Sequence, residues 1–397
     1  MSSFSVHFLG CKMSFSDADA IRERLLAAGH EECSEAADVS LVNTCCVTGE
    51  AVAKSRKAVA RAARTHDRVY VTGCAANLEG AFAGMPANVV VIKRPSDEAR
   101  EVVAAALGSN GSSPRELTSR RVRAFVPIQD GCSFACSYCI VPLVRGPGRS
   151  RPAADVLIEV GRRVEQGHKE IVLSGINLGS YRDGGAGYSL SRLVREAAET
   201  AGLVRLRLSS IEVNHVSEEL VSALQSTSVV CKHLHVPLQS GDDCVLRAMN
   251  RRYDATTFLR RLEPLADFNL TTDVIVGFPG EDEAAFLRTL EVVERAGITK
   301  VHVFPYSPRP GTATAERDTV SSNTKRERSA RMRESSQNAC LRRWRGKIGV
   351  EETVLIDRRG RGYGDDYSPW LVEGRPGELV RARASTISSE GIVGRGL

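Results

Sequence analysis

Between Val122 and Phe304, strand-like runs return at intervals of roughly thirty residues, and this rhythm limits the folds open to the chain more than any other feature. The runs are Val122–Ile128, Glu170–Leu173, Val204–Leu208, His233–Leu238, Leu270–Val276 and Lys300–Phe304, with amphipathic stretches such as Val156–Val164 and Leu220–Leu224 between them. A strand, a helix and a second strand in series make the two strands parallel, because the helix carries the chain back to the end where it began. Six such units predict a partial (β/α)6 barrel of the TIM type over residues 121–335, with its chemistry at the C-terminal ends of the strands.

The first hundred residues alternate in the same way. Phe4–Leu9, Val39–Val42 and Arg68–Val71 read as strands. Asp17–Ala28 reads as a helix with Ile21 and Leu25 on one face and Gly29 as its stop, and Lys54, Arg56, Lys57 and Arg61 mark a second, basic helix. The expected outcome is a Rossmann-like parallel sheet domain over 1–108. Cys11, Cys45 and Cys74 each lie just past one of these strands, and in a parallel α/β sheet those ends share the edge where ligands bind. Three thiols far apart in sequence are thereby expected to converge, as ligands or as ordinary buried cysteines. Cys46 competes with Cys45, since neighbours in extended chain point to opposite faces. A polar stretch rich in glycine and serine over 109–120 reads as a linker. From about Gly346 the character changes to short strands, Glu352–Ile356, Trp370–Val372, Glu378–Arg383 and Gly391–Val393, which suit a small antiparallel β-barrel over 336–397.

The loop after the first barrel strand carries Cys132, Cys136 and Cys139. A structural zinc takes four protein ligands, and no partner pair of cysteines follows. A cubane iron–sulfur cluster has four irons, so three thiolates leave one iron open. That iron can chelate the amino and carboxylate groups of S-adenosylmethionine and pass it an electron. The pattern resembles the signature of the radical S-adenosylmethionine enzymes, in which the position of Tyr138 packs near the adenine. The chain has 397 residues, 42% of them hydrophobic, with no apolar run able to span a bilayer and no signal-peptide pattern at its start. A cytoplasmic enzyme is expected, and there its 11 cysteines are poor disulfide candidates.

Other strand ends carry polar residues where a cofactor can sit. Gly175 and Asn177 follow the second barrel strand, Ser209 and Glu212 the third, and Gln239 the fourth. Glycine lets the backbone approach the methionine end of S-adenosylmethionine, and Glu212 is a candidate acceptor for its ribose hydroxyls. Arg145, Arg149 and Arg151 trail the cysteine loop as candidate grips for phosphate or a substrate carboxylate. His233 and His235 face one side of a strand and read as packing residues, as do Cys33, Cys231, Cys244 and Cys340. The net charge of +6 is concentrated: Lys325, Arg326, Arg328, Arg331, Arg333, Arg342, Arg343, Arg345 and Lys347 face only Glu327 and Glu334 in their segment. Such a run reads either as a polyanion-binding surface or as a solvated helix. The C-terminal barrel contributes no ligand cysteine, so removal of 341–397 is expected to weaken binding of a polyanion and leave the cysteine sites intact.

Taken together, Gly10-Cys11-Lys12, Asn43-Thr44-Cys45, Thr72-Gly73-Cys74, the Cys132 loop and Phe304–Thr312 resemble the methylthiotransferases over nearly the whole chain, including a C-terminal barrel of the RNA-binding TRAM type. Ser174–Tyr181, Leu208–Glu212 and His233–Gly241 are similar to the branch that modifies threonylcarbamoyladenosine in tRNA. The resemblance implies two 4Fe-4S clusters, an auxiliary one on Cys11, Cys45 and Cys74 and a radical one on Cys132, Cys136 and Cys139. It implies S-adenosylmethionine as radical source and methyl donor, with sulfur inserted at carbon 2 of the adenine. It places Arg309 with the substrate-binding arginines and selects Cys45 over Cys46. The implied partners are tRNA through its anticodon loop, an electron donor such as a flavodoxin or ferredoxin, and a sulfur donor. The rivals are methylthiolation of isopentenyladenosine or of a ribosomal-protein aspartate, and a non-catalytic cluster-containing RNA-binding protein. The chain departs from the family at Ser14, Cys46, Ala75 and Asn77.

Overall fold

The computed structural model describes residues 3–33, 37–93, 96–108, 122–184 and 187–397, so the linker expected at 109–120 lies outside the described residues. The chain forms two compact units. One comprises 1–118, 131–148 and 307–316; the other comprises 119–130, 149–306 and 317–397.

In the first unit, β1 (Ser3–Phe8), β2 (Glu31–Glu32), β3 (Val39–Thr44), β4 (Arg68–Gly73) and β5 (Val89–Val91) form a parallel sheet in the order β2-β1-β3-β4-β5. The central strand β3 is buried along its whole length, as expected where helices cover both faces. Alternation divides the core in two. Leu41 and Tyr70 pack with Phe4, Ile21 and Leu25 on one face, while Val42, Val69 and Val71 pack with Val59 and Phe82 on the other. The first helix runs from Lys12 to Ala27, five residues earlier than its polar start suggests, because Met13, Ser14 and Ser16 are buried. The basic helix spans Gly49–Ala62, with the Thr48 hydroxyl accepting from the Ala51 amide at 3.1 Å as its N-cap.

In the second unit, β6 (Arg123–Asp130), β8 (Glu170–Gly175), β11 (Arg205–Leu208), β12 (His233–His235), β13 (Asn269–Val276) and β14 (Lys300–Pro305) are the six expected strands. The short β7 (Arg149–Ser150) lies antiparallel on β6, and β9 (Arg182–Asp183) with β10 (Tyr188–Ser189) forms a separate hairpin. Two parallel ladders, β11-β8-β6 and β12-β13-β14, are joined by bridges from Leu206 to Val230 and from Ser210 to His235, which completes a partial barrel in sequential order. Its third-to-last strand, β12, stops at His235 instead of running to Leu238. Pro237 has no N–H to give the ladder, and Gln239 turns to φ +67°.

The C-terminal strands β15 (Glu351–Arg358), β16 (Arg361–Tyr363), β17 (Pro369–Leu371), β18 (Leu379–Ile387) and β19 (Ile392–Gly396) close a barrel in the order β15-β16-β17-β19-β18 around Trp370. Two features differ from expectation: the three-residue β16 is too short to carry a periodic signal, and β17 pairs with β19 in parallel. A helix from Ser322 to Arg345 serves both barrels, with Met332 in the core of the larger and Trp344 in that of the smaller. The boundary expected between 335 and 336 falls inside it.

The loop between β16 and β17 closes the floor of the larger barrel. Arg207 grips Glu170 with both arms, at 2.9 and 3.2 Å, and both side chains are 1% exposed. Burial alone would raise the Glu170 carboxyl; Arg207, then Arg123 and Arg205, outweigh it and hold the group below the usual carboxylate range. Arg123 reaches the Tyr367 hydroxyl and Asp357, Arg205 donates to the Tyr363 and Thr353 carbonyls, and Arg207 also donates to the Asp365 carbonyl. The Tyr367 ring lies 4.5 Å from the Arg207 guanidinium carbon.

Candidate functional site

All six candidate ligand cysteines belong to the first unit. Cys11, Cys45 and Cys74 lie past the C-terminal ends of β1, β3 and β4. Two glycines fix the turns that present them. Gly10 (φ +124°) comes so close that a Cβ there would stand 2.8 Å from the Ser14 hydroxyl and 3.0 Å from the Cys45 Cβ. Gly73 (φ +87°) has no room at all, since its Cβ would meet Asn43 Oδ1 and the Thr44 carbonyl at 2.5 Å. Ser55 pins Cys45 from the basic helix, its hydroxyl accepting from the Cys45 amide at 3.1 Å and donating to the Cys45 carbonyl at 3.2 Å.

Cys45 feels both Cys74 and Cys11, and burial pushes its thiol above the ordinary range. Cys46 also turns inward, fully buried in the same apolar cluster as Cys74. Strict alternation does not separate Cys45 from Cys46 because β3 ends at Thr44, and the chain beyond it is no longer extended sheet. The neighbouring Cys46 thiol holds the Cys74 thiol below the ordinary cysteine range, against its burial, with Arg145 adding to the effect; Cys46 is raised in turn. Cys11 is exposed, with its thiol 3.9 Å from the Ser14 hydroxyl.

The second set sits on a folded loop. Gly131 (φ +68°) starts it, and the Cys132 amide donates to the Gly146 carbonyl at 3.0 Å, closing the loop at its base. The Cys139 amide donates to the Cys136 carbonyl at 3.1 Å, and the Phe134 amide to Cys132 Sγ at 3.5 Å. Cys132, Cys136, Tyr138 and Cys139 are all half-buried. A short helix, Val141–Arg145, leads away from the last cysteine. Residues 307–316 strap both cysteine regions. Ser307 accepts from the Gly49 amide, Arg309 donates to the Cys46 carbonyl, and Thr314 donates to the Ser137 carbonyl through both its amide and its hydroxyl.

Among the described residues, no three histidine, cysteine or carboxylate side chains converge as ligands of a single metal ion. A cubane spreads three thiolates over three iron corners, so its ligands stand further apart than those of a mononuclear centre. Two all-thiol sets, one of them with a guanidinium N–H aimed at sulfur, suit clusters of this kind.

In the second unit, Gly175, Asn177 and Ser209 come together around Gln129, a residue the sequence did not single out. The Gly175 amide donates to the Ser209 hydroxyl at 3.3 Å and the Asn177 amide to Gln129 Oε1 at 2.7 Å. Glu212 is held by Arg251 at 2.9 Å and accepts from the Asn214 amide. The Gln239 amide donates to the Asp273 carbonyl. His233 and His235 share the Thr271 hydroxyl, and His235 also lies 3.2 Å from Asp273. The arginines disperse: Arg149 pairs with Asp130, Arg151 with Glu159 and the Pro127 carbonyl, and Arg145 with Cys74 and Asp17. The basic run is largely committed within its own unit, with Lys325 on Asp318, Arg328 on Glu281, Arg331 on Glu283, Arg343 on Asp366 and Lys347 on Glu352.

A partial parallel barrel whose first strand runs into a three-thiol loop defines the radical S-adenosylmethionine class, and residues 126–293 match the Radical SAM superfamily. Residues 3–91 match the Uncharacterized protein family UPF0004. The chain is 34% identical to the threonylcarbamoyladenosine tRNA methylthiotransferase of Thermotoga maritima, over 99% of this chain and 96% of that one. It is 31% identical to the protein of the same name from Chlamydia pneumoniae, over 99% and 97%. It is also 31% identical to the tRNA-2-methylthio-N(6)-dimethylallyladenosine synthase of Solibacter usitatus, over 91% and 87%. The chain belongs to the tRNA methylthiotransferase family of radical S-adenosylmethionine enzymes, which implies a 4Fe-4S cluster and S-adenosylmethionine. In fold it is similar to the radical S-adenosylmethionine methyltransferase TsrM of Kitasatospora setae, with a TM-score of 0.59 and 14% identity over 79% of this chain and 77% of that one. Among the described residues, no helix is long and apolar enough to cross a membrane.

Proposed function

We propose that the chain inserts a methylthio group at carbon 2 of threonylcarbamoyladenosine in tRNA, as a cytoplasmic enzyme holding two 4Fe-4S clusters. The observation that carries this reading is the folding of two separate three-thiol sets into one compact unit. One set suffices to cleave S-adenosylmethionine, so a second calls for a further chemical task, here sulfur delivery. Cys132, Cys136 and Cys139 would hold one cluster, and Cys11, Cys45 and Cys74 the other. When bound, the first supplies the electron that cleaves the sulfonium, and the second carries the sulfur to be transferred. Carbon 2 of adenine bears no acidic proton, so acid–base residues cannot activate it, and no side chain is assigned as a catalytic acid or base.

Gln129 supports the Asn177 backbone, and the Gly175 amide meets Ser209. These contacts fit a rigid cradle for the methionine end of S-adenosylmethionine; Tyr138 is assigned to the adenine from its place in the cysteine motif alone. Arg251 orients Glu212 for the ribose hydroxyls. Arg149, Arg151 and Arg309 are assigned to the substrate. The layout assigned is an α/β domain over 1–108, a radical barrel over 121–335 and an RNA-binding barrel over 336–397. The electron donor is of the flavodoxin or ferredoxin kind. The base must be presented unstacked, as an anticodon loop can offer it.

The test is mass spectrometry of tRNA nucleosides from a strain lacking the gene. The 2-methylthio form of threonylcarbamoyladenosine should disappear and return on complementation. Loss of the methylthiolated isopentenyladenosine instead would overturn the substrate, and unchanged nucleosides would overturn the tRNA reading.

A further inference from the structure

Arg145 has a position that a substrate grip does not explain. It is the last residue of the short helix after Cys139, and its side chain is only 4% exposed. Its Nε donates to Cys74 Sγ at 3.0 Å, and its Nη2 meets Asp17 Oδ2 at 2.6 Å, with Asp17 itself 8% exposed. Asp17 lies on the helix that Cys11 opens. The backbone beside Arg145 is held too, since the Asn77 amide group donates to the Val144 carbonyl at 3.0 Å. Ile140 and Val144 pack in the same core as Cys46, Cys74 and Ala75. The loop of one cysteine set is thus docked on the other set, by an ion pair to the helix that Cys11 opens and by side-chain hydrogen bonds and apolar contact to the turn that carries Cys74.

A buried arginine–aspartate pair gives little net stability relative to apolar residues of the same size. Stability is therefore a poor reason to place one here. A neutral thiol is a weak acceptor, whereas a ligating sulfur is electron-rich and takes N–H donors well. Of the three N-terminal ligands, Cys74 receives a guanidinium; Cys11 has a hydroxyl near it. Hydrogen bonds and positive charge at ligating sulfur stabilise the more reduced, more negative state of a cluster and so raise its potential.

We propose that Arg145 is a positioning residue for the N-terminal cluster, donating to Cys74 to raise the cluster's potential, and that Asp17 holds it in place and moderates its charge. This rests on the reading of Cys11, Cys45 and Cys74 as cluster ligands. The two members should act in opposite directions. Losing Arg145 removes a donor and a positive charge, which lowers the potential. Losing the Asp17 charge removes a negative charge that faces the guanidinium, which raises it.

The experiment uses the full chain with Cys132, Cys136 and Cys139 replaced by alanine, reconstituted anaerobically, so that the remaining paramagnetic signal belongs to the N-terminal set. Iron content and the midpoint potential, from redox titration followed by electron paramagnetic resonance, are compared for this parent and for Arg145→Met, Arg145→Lys and Asp17→Asn. The expected result is the parent's iron content throughout, a more negative potential for Arg145→Met, a smaller shift for Arg145→Lys and a more positive potential for Asp17→Asn. Unmoved potentials, or shifts of one sign in all variants, overturn the inference. So does loss of iron from both Arg145 variants, which would make the pair a structural clamp. A parent that binds no iron overturns the two-cluster reading itself, a result distinguishable from all of these.

Discussion

Replacing Glu170 with glutamine should destabilise the larger barrel far more than a change of one atom would suggest. Glu170 and Arg207 are each 1% exposed, and three guanidiniums, from Arg207, Arg123 and Arg205, bear on this one carboxylate. Gln keeps an acceptor for one N–H but removes the negative charge, so Arg207 is left buried without its counter-ion. Breaking a buried pair from one side costs about 3–5 kcal/mol. The Asp365 carbonyl and the Tyr367 ring still contact Arg207, which places the loss near the lower end of that range. The assay is urea unfolding of the reconstituted chain at neutral pH, with Glu170→Gln, Arg207→Met and the double replacement Glu170→Met with Arg207→Met. Each single change should lower the barrel's transition strongly, while the double change should recover part of the loss, because the most deeply buried guanidinium leaves with its counter-ion and only Arg123 and Arg205 lose a share of compensation. The pH dependence has a definite sign. The folded carboxyl lies below its unfolded value, so the pair's contribution is complete above about pH 4.3 and is lost as acid titrates the group through its lowered value. A Glu170→Gln loss below about 1 kcal/mol, or additive single effects in the double variant, would refute this account of the floor.

Other outcomes follow from the cysteines, the strap and the basic helix. Joint replacement of Cys132, Cys136 and Cys139 by alanine should leave about half the iron and abolish 5′-deoxyadenosine formation, whereas replacing Cys11, Cys45 and Cys74 should preserve that product and stop sulfur insertion; iron analysis and product chromatography check both. Thr314→Ala removes the hydroxyl bond to Ser137, worth about 1 kcal/mol, and should speed iron loss from the Cys132 set under a chelator while leaving the rate at the Cys74 set unchanged. Replacing the exposed Arg342 and Arg345 should make tRNA binding less salt-dependent, by roughly 0.9 log units or less for each phosphate no longer neutralised. Arg328→Ala should lower thermal stability and leave that slope unchanged, because Arg328 is buried on Glu281.

The features legible in the sequence were those with a local signature. The six barrel strands announce themselves by apolar runs and spacing, and the observed strands begin within about a residue of the expected ones. The Cys132 loop is legible because its three thiols lie within eight residues of chain, and the N-terminal set because each cysteine follows a strand end. What escaped is tertiary. Arg145 and Asp17 are 128 residues apart, and Arg328 and Glu281 are 47 apart, with no period to link them. The basic run misleads for the same reason. Counting charge along 325–347 finds an excess, but Glu281, Glu283, Asp318, Glu352 and Asp366 fold against it from outside that segment. Cys46 misleads through geometry: the alternation that should turn it away ends with β3 at Thr44.

The floor contacts also change what can be asked of the C-terminal barrel. From sequence it looks removable, since it contributes no cysteine. In the structure its strands and loop supply the acceptors for Arg123, Arg205 and Arg207 and for the Asn269 amide group, and Trp344 from the connecting helix completes its core. Hydrogen bonds to charged groups are worth about 1.5–3 kcal/mol each. Three guanidiniums deprived of such partners forfeit roughly 5–9 kcal/mol, comparable with the whole stability of a typical domain, about 5–15 kcal/mol. Cutting at 341 therefore tests the stability of the larger barrel before it tests RNA binding. The same rigidity has a use. On the proposed reading of the C-terminal barrel as RNA-binding, its hydrogen bonds to Arg123, Arg205 and Arg207 would hold nucleic acid at a set distance from the strand ends, which a flexible tether would not do. If that reading holds, positioning one base among many in a tRNA is partly a property of the floor, and weakening Arg205 or Tyr367 should impair turnover on tRNA more than cleavage of S-adenosylmethionine in its absence.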